Sequence, residues 1–99
     1  GNSGAAPISY FDTAEFKTKF ACELKNYDPL NYFDRKEARK QDKFCQYAMI
    51  ASDEAIIDSN IDLEKINLDR SGVIWGAGIG GLETFQNEII VLDAALRKI

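Results

Sequence analysis

The stretch RSGVIWGAGIGGLETF, from Arg70 to Phe85, decides the fold of this 99-residue chain. GVIW is a compact β-branched and aromatic run between glycines, which is typical of a strand buried on both faces. The glycines after Trp75 indicate a tight turn, and the apolar spacing that begins at Leu82 indicates a helix. The stretch therefore predicts a strand at about residues 72–76, then a glycine turn, then a helix.

The predicted last helix carries its apolar residues three and four positions apart, which places them on one face. This face consists of Leu82, Phe85, Ile89, Leu92, Leu96 and Ile99. Such a face needs a packing partner, and a fully buried strand needs neighbours in a larger sheet. We therefore expect the region to belong to an extended layered structure.

Gly76, Gly78 and Gly81 satisfy the pattern G-x-G-x-x-G between the predicted strand and helix, as a dinucleotide site requires. That site also needs an acidic residue roughly 20 positions later, at the end of a second strand. A predicted helix fills this part of the chain, which ends at Ile99. We interpret the glycines as structural and expect no nucleotide cofactor.

A second helix is predicted further upstream. Asp34 and Glu37 have the spacing of a capping box, and Asn60 is suited to a left-handed helix terminus, so we expect one helix between them. Its apolar positions are Cys45, Ala48, Met49, Ala55 and Ile56. They predict that the C-terminal half of this helix enters a core.

Residues 1–33 read as a folded loop region, because most of the aromatic side chains occur there among Gly, Pro, Asp and Asn. KFACEL, residues 19–24, alternates well enough to be a strand. The fold class is therefore mixed α and β (α+β or α/β) and mainly helical. Cys22 and Cys45 lack CxxC spacing, and we expect both to be buried and reduced.

The bulk composition sets limits on function. With 45% hydrophobic and 28% charged residues the chain is expected to be a soluble folded unit. Its net charge of −4 argues against general nucleic-acid binding. No apolar run approaches the roughly 20 residues of a membrane span. The N-terminal GNSGAAPIS lacks the features of a signal peptide, so we expect a cytoplasmic protein.

One region departs from the acidic average. Residues 35–43 carry a net charge of +3. Lys36, Arg39, Lys40 and Lys43 are spaced to share one face of the predicted helix, where like charges repel one another. This arrangement suits an acidic partner, although a merely solvated face is an equally simple interpretation.

Catalysis has little support. The chain contains no histidine, which excludes Ser-His and Cys-His nucleophile pairs and the common zinc sites that use histidine. No pair of carboxylates is placed by the pattern in an apolar cleft. We expect no complete active site and no metal site, and whether the chain is itself an enzyme stays open.

Three stretches together resemble one family. They are SGAAPISYFDTAEFKTKFACELKNYDP (residues 3–29), DRKEARKQDKFCQYAMIASDEAI (34–56) and RSGVIWGAGIGGLETFQNE (70–88). In order and spacing they are similar to the N-terminal half of the β-ketoacyl-acyl-carrier-protein synthase II family of condensing enzymes. The resemblance implies a thiolase-like fold of two related layered halves and a homodimer. It also implies acyltransferase activity in fatty acid synthesis, the decarboxylative condensation of malonyl-acyl carrier protein with an acyl chain.

The resemblance also implies roles for individual residues. Lys36, Arg39 and Lys40 match the basic positions that receive the acidic acyl carrier protein, and Ile79 matches the residue at the far end of the acyl pocket, near the dimer interface. The cysteine and two histidines of the family's reaction would lie beyond this chain. The surroundings of Cys22 and Cys45 do not resemble those of the family's nucleophile.

The resemblance therefore predicts that residues 1–99 form a single partial domain, without the first strand and the catalytic residues, and inactive alone. The tail, residues 89–99, departs from the family because its apolar stripe continues where the family usually has a polar or glycine-containing link, so its packing partner stays open. The alternative is a stand-alone binding or self-associating module whose basic helix holds an acidic partner.

Overall fold

The computed structural model describes the whole chain, Gly1–Ile99. Two short strands precede three helices, and two single 3-10 turns connect them. In chain order these are β1 (Ala6–Pro7), β2 (Phe20–Ala21), a 3-10 turn (Pro29–Asn31), α1 (Arg35–Lys40), α2 (Lys43–Ser59), a second 3-10 turn (Leu68–Arg70) and α3 (Leu82–Leu96). The regular secondary structure is mainly helical with a small sheet, which agrees with the predicted mixed class.

The sheet is one antiparallel pair in which Ala6 lies opposite Ala21 and Pro7 lies opposite Phe20. The N–H of Ile8 donates to the carbonyl of Lys19 at 3.0 Å and extends the pairing by one step. Pro7 is tolerated because both strands are edges, where a missing N–H costs little. The strand predicted at residues 19–24 therefore exists but is only two residues long, and its partner β1 was not predicted.

The helix predicted between Asp34 and Asn60 is two helices. Its ends are right: the Asp34 carboxylate accepts a hydrogen bond from the Glu37 N–H at 2.7 Å, and Asn60 has a left-handed φ of 55°. Between them the backbone leaves the helix at Gln41, with φ −115° and ψ 135°, and α2 begins after Asp42. Aspartate is a preferred N-cap residue, so Asp42 carried a second start signal inside the predicted helix.

The strand predicted at about residues 72–76 is wrong. Residues 72–77 have no regular secondary structure and are exposed, with Ile74 fully so. A strand exists only when a neighbour pairs with its N–H and C=O groups, and the only paired strands here are β1 and β2. The β-branched pattern was a correct sign of apolar character, but the pairing partner is not provided by this chain.

The chain has almost no interior of its own. Gln46, 3% exposed, is the only buried residue. The accessible surface is 9151 Å², against roughly 5,700 Å² for a compact protein of this mass. The radius of gyration is 18.4 Å, whereas a compact domain of this length has about 13 Å. The fold therefore leaves large apolar surfaces available for contact with other surfaces.

The predicted core of α2 is misplaced. The most covered part of this helix is its beginning, around Phe44 and Gln46, while Met49 and Ala55 in the predicted C-terminal core are exposed. The two cysteines are free, but Cys22 is exposed and Cys45 is only half-buried, so the prediction of buried thiols is wrong for Cys22.

The last helix is confirmed. α3 spans Leu82–Leu96, and every residue of it is exposed, including the whole predicted apolar face. None of the helices is both long enough and apolar enough to cross a membrane.

Candidate functional site

The basic residues of α1 lie free on the surface. Lys36, Arg39 and Lys40 are exposed, and none of them takes part in the three ion pairs of the chain. Their spacing of three and four residues puts them on one side of α1. The sequence-predicted candidates therefore form a compact positive surface, which we call the α1 basic face (Lys36, Arg39 and Lys40).

Lys43 does not belong to this face, contrary to the prediction. It begins α2 instead of continuing α1, and its ammonium lies 3.1 Å from the Glu83 carboxylate in the first turn of α3. The hydrogen bond to Glu83 raises the pKa of Lys43 above its usual value. The positive charge of Lys43 is therefore paired with the Glu83 carboxylate. This partner lies 40 residues away in sequence, so helical periodicity could not reveal it.

Gln46 connects α1 to the rest of the chain. Its side-chain amide donates to the carbonyl of Ala38 at 2.9 Å and to that of Gln41 at 3.4 Å, and its Oε1 accepts from the Tyr27 hydroxyl at 2.6 Å. These bonds satisfy carbonyls at the end of α1 that have no partner within that helix. One buried polar side chain thus links the C-terminal end of α1 to α2.

Tyr27 completes this connection. Its ring packs edge-on against Tyr47, with centroids 5.0 Å apart, and lies stacked on Tyr32 at 6.1 Å. Burial, followed by the neighbouring Tyr47 and Tyr32 hydroxyls, raises the pKa of Tyr27, which keeps its hydroxyl a neutral donor to Gln46. Sequence reasoning missed Gln46, although its position between the apolar-face residues Cys45 and Ala48 was a usable signal.

The turn around Ile79 is shaped by its neighbours in space. An added Cβ at Gly80 would lie 2.6 Å from ring atoms of Phe44. At Gly81 it would lie 2.9 Å from Asp42 Oδ2, and φ there is +72°. Gly76 and Gly78 have nothing within 4 Å of such a Cβ. Of the three glycines in G-x-G-x-x-G, the contacts within the chain require only Gly81.

Ile79 itself is 74% exposed. It immediately precedes the two crowded glycines, so the backbone on its C-terminal side is held while its side chain stays uncovered. The first turn of α3 adds a polar contact, because the Thr84 hydroxyl donates to Asp42 Oδ1 at 2.5 Å. The structure thus brings the α1–α2 junction (residues 41–44) against the Ile79 turn (residues 78–81). The sequence did not predict this association.

The arrangement presents exposed charged and apolar surfaces. No group of three or more Cys, Asp or Glu side chains is placed to hold a metal ion. With no histidine in the chain, neither thiol has an imidazole base beside it. The geometry provides the unpaired α1 basic face and, on a turn held against the start of α2, the exposed side chain of Ile79.

These features define a class of protein: a mixed α and β segment with a basic helix, a glycine turn held against the start of α2, and uncovered apolar faces. Residues 9–98 match the family described as Beta-ketoacyl synthase, N-terminal domain, and the chain belongs to this family. Membership implies the thiolase-like fold that the resemblance predicted.

Two curated relatives make the similarity more specific. The chain is 38% identical over 92 residues to 3-oxoacyl-(acyl-carrier-protein) synthase 2 of Synechocystis sp., which covers 93% of this chain and 22% of the relative. It is 43% identical over 86 residues to the enzyme of the same name from Staphylococcus aureus, covering 87% of this chain and 21% of the relative. The chain therefore spans about a fifth of the length of the relatives it matches.

Proposed function

We propose that this chain is part of a 3-oxoacyl-acyl-carrier-protein synthase that elongates fatty acyl chains by decarboxylative condensation with malonyl-acyl carrier protein. The observation that carries the proposal is the match of residues 9–98 to the synthase N-terminal domain, together with the names of the relatives. In this proposal the complete protein is a cytoplasmic homodimer.

The segment's first contribution is docking of the acyl carrier protein on the α1 basic face. Support comes from the three exposed, unpaired cations and from Gln46, which fixes their helix. Complementary charges guide association and fix the register of two surfaces. Its second contribution is Ile79 in the acyl pocket, supported by a side chain that nothing in this chain covers.

Docking is tested by reversing three charges, Lys36→Glu, Arg39→Glu and Lys40→Glu, in the complete protein. We expect binding of acidic acyl carrier protein to weaken roughly tenfold or more and to lose its salt dependence, as measured by titration calorimetry at two ionic strengths. The matched control is Lys17→Glu, Lys25→Glu and Lys98→Glu, which changes the net charge equally at exposed lysines. Equal losses in both triple variants would mean that only overall charge matters.

A second expectation concerns the isolated 99-residue chain. Because it contains no histidine, it should neither decarboxylate malonyl-acyl carrier protein nor condense it with an acyl chain. The assay is release of carbon dioxide, with the Staphylococcus aureus synthase as the active control. Turnover above background would show that the chemistry does not need the residues outside this segment.

The alternative, a stand-alone self-associating module, is favoured by one observation: every residue of α3 is exposed, including its apolar face. In that case α3 would pair with α3 of a second copy, and the α1 basic face would hold an acidic partner. The state of the isolated chain in solution separates the two proposals.

A further inference from the structure

Three consecutive residues at the start of α2 contact the Ile79 turn and the helix that follows it. Asp42 accepts a hydrogen bond from the Thr84 hydroxyl at 2.5 Å, Lys43 pairs with Glu83 at 3.1 Å, and the Phe44 ring lies against Gly80. The two partners of each contact lie about 40 residues apart in sequence, so the contacts are tertiary and not local.

The Asp42 carboxylate is directed away from its own helix. Asp42 occupies the N-cap position of α2, yet its side chain makes no capping hydrogen bond there. It lies instead beside Gly81, which is the N-cap position of α3 and has no side chain with which to cap that helix. A carboxylate near a helix N-terminus is favoured by the partial positive charge of the helix dipole. Asp42 therefore places a carboxylate at the N-terminus of α3, where it accepts a hydrogen bond from the Thr84 hydroxyl.

The same residue joins the two candidate regions. Lys40, at the end of the α1 basic face, is two residues before Asp42, and Gln46 holds the carbonyls of Ala38 and Gln41 on the other side of the junction. On the α3 side, Ile79 is separated from Gly81 only by Gly80. Asp42, through its contacts with Gly81 and Thr84, therefore connects the α1 basic face to the Ile79 turn.

We propose that Asp42, acting through the Thr84 hydroxyl, is a positioning residue that holds the Ile79 turn in place against the α1–α2 junction and so determines the depth of the acyl pocket. The inference rests on the proposed function. Breaking the Asp42–Thr84 contact should displace Ile79 and change acyl chain-length preference, while the α1 basic face and its affinity for the carrier stay unchanged.

The structural half of the proposal is tested without any carrier. In the complete protein with ¹³C-labelled isoleucine methyl groups, Thr84→Val should shift or broaden the Ile79 δ1-methyl resonance. Thr84→Ser, which keeps the hydroxyl, should restore the wild-type resonance, and Thr18→Val, at an exposed threonine without hydrogen-bonding partners, should leave it unchanged. Amide exchange of Phe85, whose N–H donates to the Gly81 carbonyl, should become faster in Thr84→Val, because the Asp42 contact that holds the first turn of α3 is lost.

The functional half uses acyl-carrier-protein substrates of different chain length. Thr84→Val should change the ratio of kcat/KM between long and short chains at least threefold while the Kd for the carrier stays at the wild-type value. An unchanged Ile79 resonance in Thr84→Val overturns the positioning role even if the enzyme is active. A wild-type protein that neither binds the carrier nor turns over overturns the proposed function, while the methyl spectrum still decides the role of Asp42.

Discussion

At the scale of single residues, the glycines of GAGIGG differ in what surrounds them. Gly81 has a left-handed φ of +72° and sits 2.9 Å, measured from an added Cβ, from a carboxylate oxygen of Asp42. Gly76 has neither constraint. A Cβ in the left-handed region costs roughly 1–2 kcal/mol, and crowding by Asp42 adds to this cost. The requirement for glycine is therefore local to the end of the motif.

This difference predicts opposite outcomes for two alanine variants. Gly81→Ala should lower the free energy of unfolding of the complete protein by about 1–2 kcal/mol, because both the backbone and Asp42 must move. Gly76→Ala should be neutral, or stabilising by a few tenths of a kcal/mol through the unfolded state. Urea denaturation of both variants measures the difference. Equal destabilisation by both would show that Gly76 is constrained by groups outside this segment.

At the scale of elements, the hairpin β1–β2 is held by a side chain beyond its short ladder. The Glu23 carboxylate accepts from the Ser9 N–H at 2.9 Å and from the Ser9 hydroxyl at 2.7 Å. The hydroxyl bond and then the backbone bond of Ser9 lower the pKa of Glu23 below its ordinary value of 4.5. Only the ionised carboxylate accepts both bonds well, so this pair of hydrogen bonds between Ser9 and Glu23 depends on pH.

The sign of this linkage is fixed by the lowered pKa. The contribution of Glu23 to hairpin stability is fully present above pH 4.5 and is lost as the pH falls through the lower pKa of the folded state. We expect NMR titration of the Glu23 carboxyl carbon to give a midpoint below 4.5, which Ser9→Ala moves up towards that value. Ser59→Ala, remote from the hairpin, is the control. A midpoint insensitive to Ser9→Ala would contradict the role of the Ser9 hydrogen bonds in lowering the pKa of Glu23.

The helices show how an element can be predicted and still be divided incorrectly. The capping pair Asp34–Glu37 and the terminator Asn60 gave both ends of the helical region. The break at Gln41 was missed because helical periodicity continues across it. The break is sustained by the Gln46 bonds to Ala38 and Gln41 and by the contacts of Asp42 with α3, which are tertiary.

At the scale of the whole molecule, the dominant feature is uncovered apolar surface. Hydrophobic burial is the main favourable term in folding, and this chain obtains little of it alone. The α3 face, with Ile89 and Leu92 at its centre, is the longest such surface on one element. Within the proposed synthase this face would be covered by other parts of the protein.

We therefore expect the isolated 99-residue chain to bind the dye ANS, to unfold without a sharp transition and to form no defined oligomer in sedimentation experiments. Ile89→Gln with Leu92→Gln should reduce dye binding without loss of helical signal, because these side chains are exposed. Glu54→Gln on the exposed surface of α2 is the control. A discrete oligomer with cooperative unfolding, abolished by the double variant, would favour the self-associating module.

The sequence by itself determined the local features whose causes lie within a few residues. These are the cap at Asp34, the left-handed end at Asn60, the apolar face of α3 and the cationic spacing of α1, together with the family through its ordered stretches. Only the tertiary structure decided which segments meet. It ended α1 at Lys40, paired Lys43 with Glu83 and left GVIW without strand pairing, because such contacts depend on residues distant in sequence and on partners that a strand cannot supply to itself.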